Sequence, residues 1–256
     1  MARFSERHGL RPPDAEIRIR NDAPSNMRGV LLDIADELGL SPRPMRTLLC
    51  RVLRKSADPN NWSEWPNISQ ECQDLIRDCE WYEVYDIIEE LYQTFLELGP
   101  YNSANGPNYF AEKFSQELNH YFRREGIGWQ LNDGVIEIRG PEFFEVAVHE
   151  ARDALASLNK NTASSELHEA IRDLSRRPEP DITGAVQHAM SALECVARDV
   201  CGNSKLTLGD VVKRYPETFP KPLDQSVEKL WGYASESGRH LKEGQTPSFE
   251  EAELVV

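Results

Sequence analysis

Apolar residues recur at intervals of three and four along most of this chain, and that spacing constrains the fold more than any other feature. The clearest stretch lies within residues 69–98. Its apolar positions are Val84, Ile88, Leu91, Phe95 and Leu98. Such spacing places side chains on one face of an α-helix. The chain has 256 residues, of which 39% are hydrophobic, which is sufficient for two helical domains.

The same periodicity predicts a mainly α fold with one small β-hairpin. Helices are predicted over residues 25–40, 44–55, 69–98, 106–125, 141–158, 164–176, 181–200 and 208–214. Asp133-Gly134 between short apolar runs predicts a tight hairpin over about residues 128–138. The charged, proline-rich residues 176–180 predict a boundary, which gives domains 1–177 and 178–256. Further helices are predicted to open at Pro222 and at the capping pattern of residues 248–251. The helix that follows residue 248 is short, so we expect either a chain that continues past Val256 or a partner that covers this end.

The charge of the chain is unevenly distributed. The net charge is −14, which argues against a protein coated for non-specific nucleic-acid binding. Residues 1–55 nevertheless carry 11 Lys/Arg and 7 Asp/Glu. A basic amino-terminal end on an acidic body is compatible with local RNA binding, or with a basic partner on the acidic surface.

Several function classes find no support in the sequence. No apolar run is long enough for a membrane span and no signal peptide is visible, so a cytoplasmic protein is expected. Five cysteines without a CxxC pair predict reduced thiols and no zinc site. Glycine-rich phosphate loops are absent, so no nucleotide cofactor, and no metal, is expected.

Two tryptophans, Trp62 and Trp65, fall in a polar loop predicted over residues 56–67. One interpretation is that they pin the loop to the core. The other is that they form a platform on which nucleic-acid bases stack.

Arg239 and His240 form the strongest candidate for catalytic chemistry, at the predicted start of the last helix. In a metal-free ribonuclease, a base takes the proton of a ribose 2′-OH, and a cation stabilises the charge that develops on the attacked phosphate. Histidine suits the first role and arginine the second. The alternative is a surface salt bridge beside a helix-capping histidine.

Other histidines contribute less to this hypothesis. Arg7 and His8 also stand side by side, and either is a candidate for RNA binding or for supporting the site. The others lack metal-ligand spacing and are interpreted as isolated surface or core residues. They are His120, His149, His168 and His188.

The carboxy-terminal segments resemble the HEPN superfamily, and more narrowly abortive-infection proteins of the AbiJ type. The segments are residues 181–185, 192–198, 207–209 and 229–235, followed by Arg239-His240. Residues 4–9 and the hairpin followed by an acidic helix resemble the AbiJ-type N-terminal domain. Together these segments span nearly the whole chain.

The resemblance implies a HEPN-like helical bundle, usually dimeric, with its active site at the dimer interface. It implies a metal-independent endoribonuclease directed at tRNA or other cellular RNA, acting as a toxic effector of prokaryotic antiphage defence. Arg239 and His240 are the implied catalytic residues, with Arg7, His8 and Glu236 as supporting residues. The resemblance also implies that a sensor partner controls the activity. This partner would bind a nucleotide or a guide nucleic acid, as a short Argonaute does.

One departure from the family pattern keeps an alternative open. The pattern places a second histidine four to six positions after the arginine and its polar neighbour, where this chain has Gly244, Gln245 and Thr246. The alternative is therefore a catalytically inactive HEPN-like subunit that serves binding or assembly in a defence complex.

Overall fold

The computed structural model describes residues 4–8, 15–102, 106–239 and 247–256 and confirms a mainly α fold. Two compact units, residues 1–139 and residues 140–256, divide the chain. The helices of the first unit are α1 (Phe4–Arg7), α2 (Ser25–Glu37), α3 (Pro42–Val52), α4 (Ser69–Arg77), α5 (Trp81–Asn102) and α6 (Tyr109–Glu125). Those of the second are α7 (Glu142–Ser157), α8 (Asn161–Ser175), α9 (Ile182–Val200), α10 (Leu208–Arg214), α11 (Leu223–Arg239) and α12 (Phe249–Val255).

The division after residue 139 differs from the boundary that the sequence predicts after residue 177. Helix α8 packs along α9, and α7 packs on α8, so the proline-rich residues between α8 and α9 join two neighbouring helices. The assignment of residues 1–177 and 178–256 to two domains remains a prediction. No helix among the described residues is long and apolar enough to cross a membrane.

The first unit is built around large, fully buried side chains. Helices α2, α3, α5 and α6 surround a core that includes Leu31, Leu91 and Phe114, each with no exposed surface. The rings of Phe95 and Phe114 lie with their centroids 5.2 Å apart. Apolar stripes at helical spacing account for this core, because each helix turns one such face inward.

The predicted hairpin is confirmed. Strand β1 (Trp129–Asn132) pairs antiparallel with β2 (Val135–Ile138), in a register that places Trp129 opposite Ile138. Asp133 and Gly134 both have positive φ, of 47° and 85°, which is the backbone of the tight turn that their sequence predicts.

The single helix predicted over residues 69–98 is wrong, because the chain breaks between Asp78 and Glu80 to form α4 and α5. Arg28 lies beside the break, and its Nη1 donates to the carbonyl oxygens of Ile76 at 2.6 Å and Cys79 at 2.8 Å. The guanidinium thus satisfies carbonyls that a continuous helix would have paired internally. Helix α5 continues to Asn102, beyond the end predicted at residues 99–100.

Smaller buried side chains hold the second unit together. Helix α9 presents Ala185, Val186, Ala189, Ala192 and Ala197 as buried residues, and it contacts α8, α10, α11 and α12. A cluster of buried Leu206, Leu208 and Val211 is completed by partly buried neighbours such as Trp231.

Candidate functional site

Arg239, the first residue of the predicted catalytic pair, lies at the end of a helix and not at the start of one. Arg239 is the last residue of α11, and α12 begins only at Phe249, so the predicted start of the last helix is wrong for Arg239. The apolar face of α11 carries the helix through Gly238, whose helix-interior penalty is only about 1 kcal/mol. His240 lies outside the described residues, and so do the side chains of Arg239 and Glu236.

Helix α11 is fixed by contacts within its first three turns. The ring of Trp231 lies against Gly209 of α10, and a Cβ at Gly209 would stand 3.2 Å from that ring. Thr207 and Asp210 form a reciprocal capping box at the start of α10. Ala234, one turn beyond Trp231, is buried. Residues 207–209 and 229–235, two of the segments that carry the resemblance, therefore serve to pack α11 against α10.

The amino-terminal candidates belong to the first unit. Arg7 ends α1 and His8 follows it, and both residues are exposed. The His8 ring lies 4.5 Å from the ring of Phe4, measured between centroids. Any approach of Arg7 or His8 to Arg239 remains a prediction.

A cluster of ionisable side chains connects α8 with α9. His188 Nδ1 lies 2.8 Å from Glu166 Oε2, and its Nε2 lies 3.7 Å from Asp173 Oδ2. Arg176 places one guanidinium nitrogen 3.1 Å from Asp173 Oδ1 and another 3.1 Å from Asp181 Oδ2. His188 looks isolated in the sequence, because its partners lie on the preceding helix and no local spacing connects them.

Asp173 is the buried member of this cluster. Its side chain is 3% exposed, and burial raises the pKa of its carboxyl against the lowering effect of Arg176 and His188. A Cβ at Gly184 would stand 2.5 Å from Asp173 Oδ2. Asp181 accepts a hydrogen bond from the Gly184 amide and so caps α9. Residues 181–185, quoted for the resemblance, thus start α9 and leave room for the Asp173 carboxylate.

The chemistry open to this cluster is limited by its own pairing. An imidazole between two carboxylates can hold or pass a proton. Both terminal nitrogens of the Arg176 guanidinium face carboxylates, so this group is poorly placed to bind a phosphate. Within the described ranges, no group of three His, Cys, Asp or Glu side chains could hold a metal ion. We interpret the cluster as the polar contact that fixes α8 to α9.

An open groove of about 720 Å³ lies beside the start of α8, lined by polar residues. Lys160 pairs there with Asp199, and Arg198 pairs with Glu194 and donates to the Leu206 carbonyl oxygen. Its cations are therefore engaged by the protein itself, which gives an anion little to bind.

The two loop tryptophans project into solvent. Trp62 is 76% exposed and Trp65 is 61% exposed. The interpretation that they pin the loop to the core is therefore wrong, because a pinning ring would bury most of its surface. Sequence alone could not decide this, because the polarity of the loop is the same in either case.

Comparison with known proteins gives one family. The family model "AbiJ N-terminal domain 4" matches residues 2–154, which is more than half of the chain. No curated protein matches the chain, and no solved structure does. The matched residues include the whole first unit except Met1 and extend into α7. An AbiJ domain points to a role in abortive-infection defence. The chain therefore belongs to the AbiJ N-terminal domain 4 family.

Proposed function

We propose that this protein is a metal-independent endoribonuclease that acts as a toxic effector in antiphage defence. The observation that carries the proposal is the AbiJ family match over residues 2–154, because it supplies the defence context. The Arg239-His240 pair supplies residue types that suit RNA cleavage, next to segments that resemble a HEPN domain. The proposed substrate is tRNA or another cellular RNA.

The proposed reaction needs no group beyond the side chains and the RNA. His240 takes the proton of a ribose 2′-OH, and the resulting oxygen attacks the adjacent phosphorus. Arg239 stabilises the extra negative charge of the transition state, and the bond to the 5′-oxygen of the next nucleotide breaks. The protonated His240 returns the proton to that oxygen, so a 2′,3′-cyclic phosphate and a 5′-hydroxyl result.

The position of Arg239 determines where the positive charge must come from. The carboxy-terminal end of a helix carries a partial negative charge, which disfavours a phosphate. The guanidinium itself, and not the helix backbone, must therefore hold the phosphate. Arg7, His8 and Glu236 are proposed to support the site by contacting RNA or by orienting the pair.

A homodimer is the proposed assembly, with a sensor protein as its control. Exposed apolar side chains on the second unit support the assembly, because burial in a partner would remove them from water. Val200 is 67% exposed, Leu223 56% and Leu254 69%. The proposed sensor is a nucleotide-binding or guide-nucleic-acid-binding protein, such as a short Argonaute.

The decisive experiment compares RNA cleavage by the wild type with cleavage by Arg239→Ala and His240→Ala, in a chelator. Loss of the arginine or of the acid–base group is expected to slow cleavage by about a hundredfold or more. Arg214→Ala is the matched control, because Arg214 also ends a helix of the second unit and is exposed. Cleavage that persists unchanged in both site variants would exclude this function.

The competing proposal is a catalytically inactive subunit that serves binding or assembly. It is favoured by Gly244, Gln245 and Thr246, which stand where the family pattern has its second histidine. Under this proposal the wild type cleaves no RNA, even with its sensor partner, and the Arg239→Ala chain still assembles into the same complex. Cleavage by the wild type that Arg239→Ala abolishes would rule it out.

A further inference from the structure

Trp62, Trp65 and Arg43 form an exposed surface on the first unit, which we call the tryptophan platform. Both indole rings are more than half exposed, although a tryptophan normally gains free energy by burial. Arg43 donates from Nη2 to the Trp62 carbonyl oxygen at 2.9 Å, and its Nε lies 3.8 Å from Glu64 Oε1 while its side chain stays 56% exposed. An exposed ion pair at that distance is weak, unlike the closer pairs of Lys160 and Arg176, so Arg43 can turn to a phosphate. A cation thus lies beside the backbone of Trp62, and Trp65 follows three residues later.

The loop that carries the platform is fixed by an ion pair and by hydrogen bonds to its backbone. Arg46 and Glu71 form an ion pair at 3.0 Å, with side chains only 13% and 11% exposed. Arg46 also donates to the Asn61 carbonyl oxygen at 2.9 Å, and Glu71 accepts from the Asp58 amide at 2.7 Å. The backbone before Trp62 is therefore fixed by a buried pair, and the rings are displayed without a large loss of loop entropy on binding.

The charge around the platform contrasts with that of the whole chain. Residues 41–65 contain five Arg/Lys and two Asp/Glu, whereas the chain carries −14 overall. Arg46 and Arg51 pair with Glu71 and Glu90, which lie outside this window, whereas Arg54 and Lys55 follow α3 and are exposed. A polyanion therefore meets less repulsion here than over most of the remaining surface.

Exposed indole rings near an exposed guanidinium match one ligand chemistry closely. Unpaired bases stack on aromatic rings, and the phosphates between them pair with nearby cations. Bases inside a duplex are already stacked on each other, so the ligand must be single-stranded. We propose that the tryptophan platform binds single-stranded RNA, with Trp62 and Trp65 stacking on bases and Arg43 contacting a phosphate. Only the choice of RNA over DNA rests on the proposed function.

The test measures binding of the full chain to labelled single-stranded oligonucleotides of about ten residues, a length typical of one such site. We expect salt-dependent binding of RNA, weakened about tenfold by Trp62→Ala or Trp65→Ala and about a hundredfold by both together, as for the loss of one stacked base each. Arg43→Ala is expected to reduce the slope of log affinity against log salt by about 0.7, the loss of one phosphate contact.

Matched variants separate stacking from a merely apolar contact. Trp62→Phe retains an aromatic face and should retain most of the affinity, whereas Trp62→Leu should behave like Trp62→Ala. Phe143→Ala removes a ring that is 65% exposed on α7 and should change nothing. Because both tryptophans are exposed, their variants should fold as the wild type does, which circular dichroism checks.

The outcomes also separate this proposal from the nuclease proposal. Arg239→Ala and His240→Ala should keep binding at the platform even where they abolish cleavage, and a chain that binds RNA without cleaving it would still support the platform. Unchanged RNA affinity in the double tryptophan variant would overturn the platform, as would binding of DNA but not RNA. Retained affinity in Trp62→Leu, with capture of a protein through this surface, would assign it to a protein partner instead.

Discussion

The two units of this protein reach similar helical structure with different kinds of core. The first unit contains the largest fully buried side chains, among them Phe95, Phe114 and Phe122. The second unit buries mainly alanines on α9, its larger buried side chains are mostly leucine, isoleucine and valine, and Trp231 is only partly covered. Because stabilisation scales with the apolar area removed from water, the first unit has a deep core and the second a shallow one.

Their polar contacts differ in the same direction. In the first unit, Arg46 and Glu71 are nearly enclosed and support the loop of Trp62 and Trp65. In the second, Glu166 and His188 remain about a third exposed while they join α8 to α9, and only Asp173 of that cluster is enclosed. A unit with a shallow core and half-open ion pairs is expected to open more easily, and it is also the unit that carries Arg239.

The comparison predicts its largest effect in the two cores. Phe114→Ala removes a fully buried ring and is expected to lower the free energy of unfolding of the first unit by about 3–5 kcal/mol. Trp231→Ala should lower that of the second unit by only about 2 kcal/mol, because the ring is already partly exposed. Hydrogen exchange measured along the chain under denaturant resolves the two units. Equal losses would show that the second core is as deep as the first.

Removal of an ion-pair partner is expected to have the next largest effect on stability. Glu71→Ala strands the enclosed Arg46 and should cost about 3 kcal/mol, seen as faster exchange in residues 56–68. Glu166→Ala, at the half-open contact with His188, should cost less than about 1 kcal/mol. A larger loss for Glu166→Ala than for Glu71→Ala would reverse the comparison.

Glu71 also makes the stability of this loop depend on pH. Burial alone would raise the pKa of Glu71, but the Asp58 amide, Asn61 and Arg46 outweigh it and hold the pKa below its ordinary value of 4.5. A lowered pKa in the folded state means that the stabilisation is fully present above about pH 4.5 and is lost as the pH falls through the folded value. The loop is therefore expected to loosen in acid in the wild type, and Glu71→Gln should remove that dependence.

Two glycine positions are expected to give smaller effects than the buried ring of Phe114 does. Gly184→Ala places a methyl 2.5 Å from Asp173 Oδ2, and the expected cost is about 1–3 kcal/mol. Gly29→Ala meets no atom within 4 Å inside α2 and should stabilise the protein by up to about 1 kcal/mol. Thermal unfolding of both variants tests this pair. A stabilising Gly184→Ala would mean that the Asp173 carboxylate moves aside at no cost.

Local features of the sequence were sufficient for most of the secondary structure. Helical periodicity places α10 at Leu208–Arg214 as predicted, and Asp133-Gly134 places the hairpin, because both depend on neighbours a few residues apart. The break at residues 78–80 escaped the same pattern. The break depends on Arg28, a residue about fifty positions away, which donates hydrogen bonds to the freed carbonyl oxygens.

For the candidate sites, the sequence supplied residue types and the tertiary structure supplied their surroundings. The Arg239-His240 pair and the two tryptophans were identified from the sequence, and the order of the carboxy-terminal segments that end in this pair suggested a HEPN-like nuclease. Only packing could decide that Trp62 and Trp65 face solvent, since exposure depends on which segments approach the loop. Only packing could bring Glu166, Asp173 and His188 together, because electrostatic contacts between helices depend on the relative rotation of their faces and not on spacing along the chain.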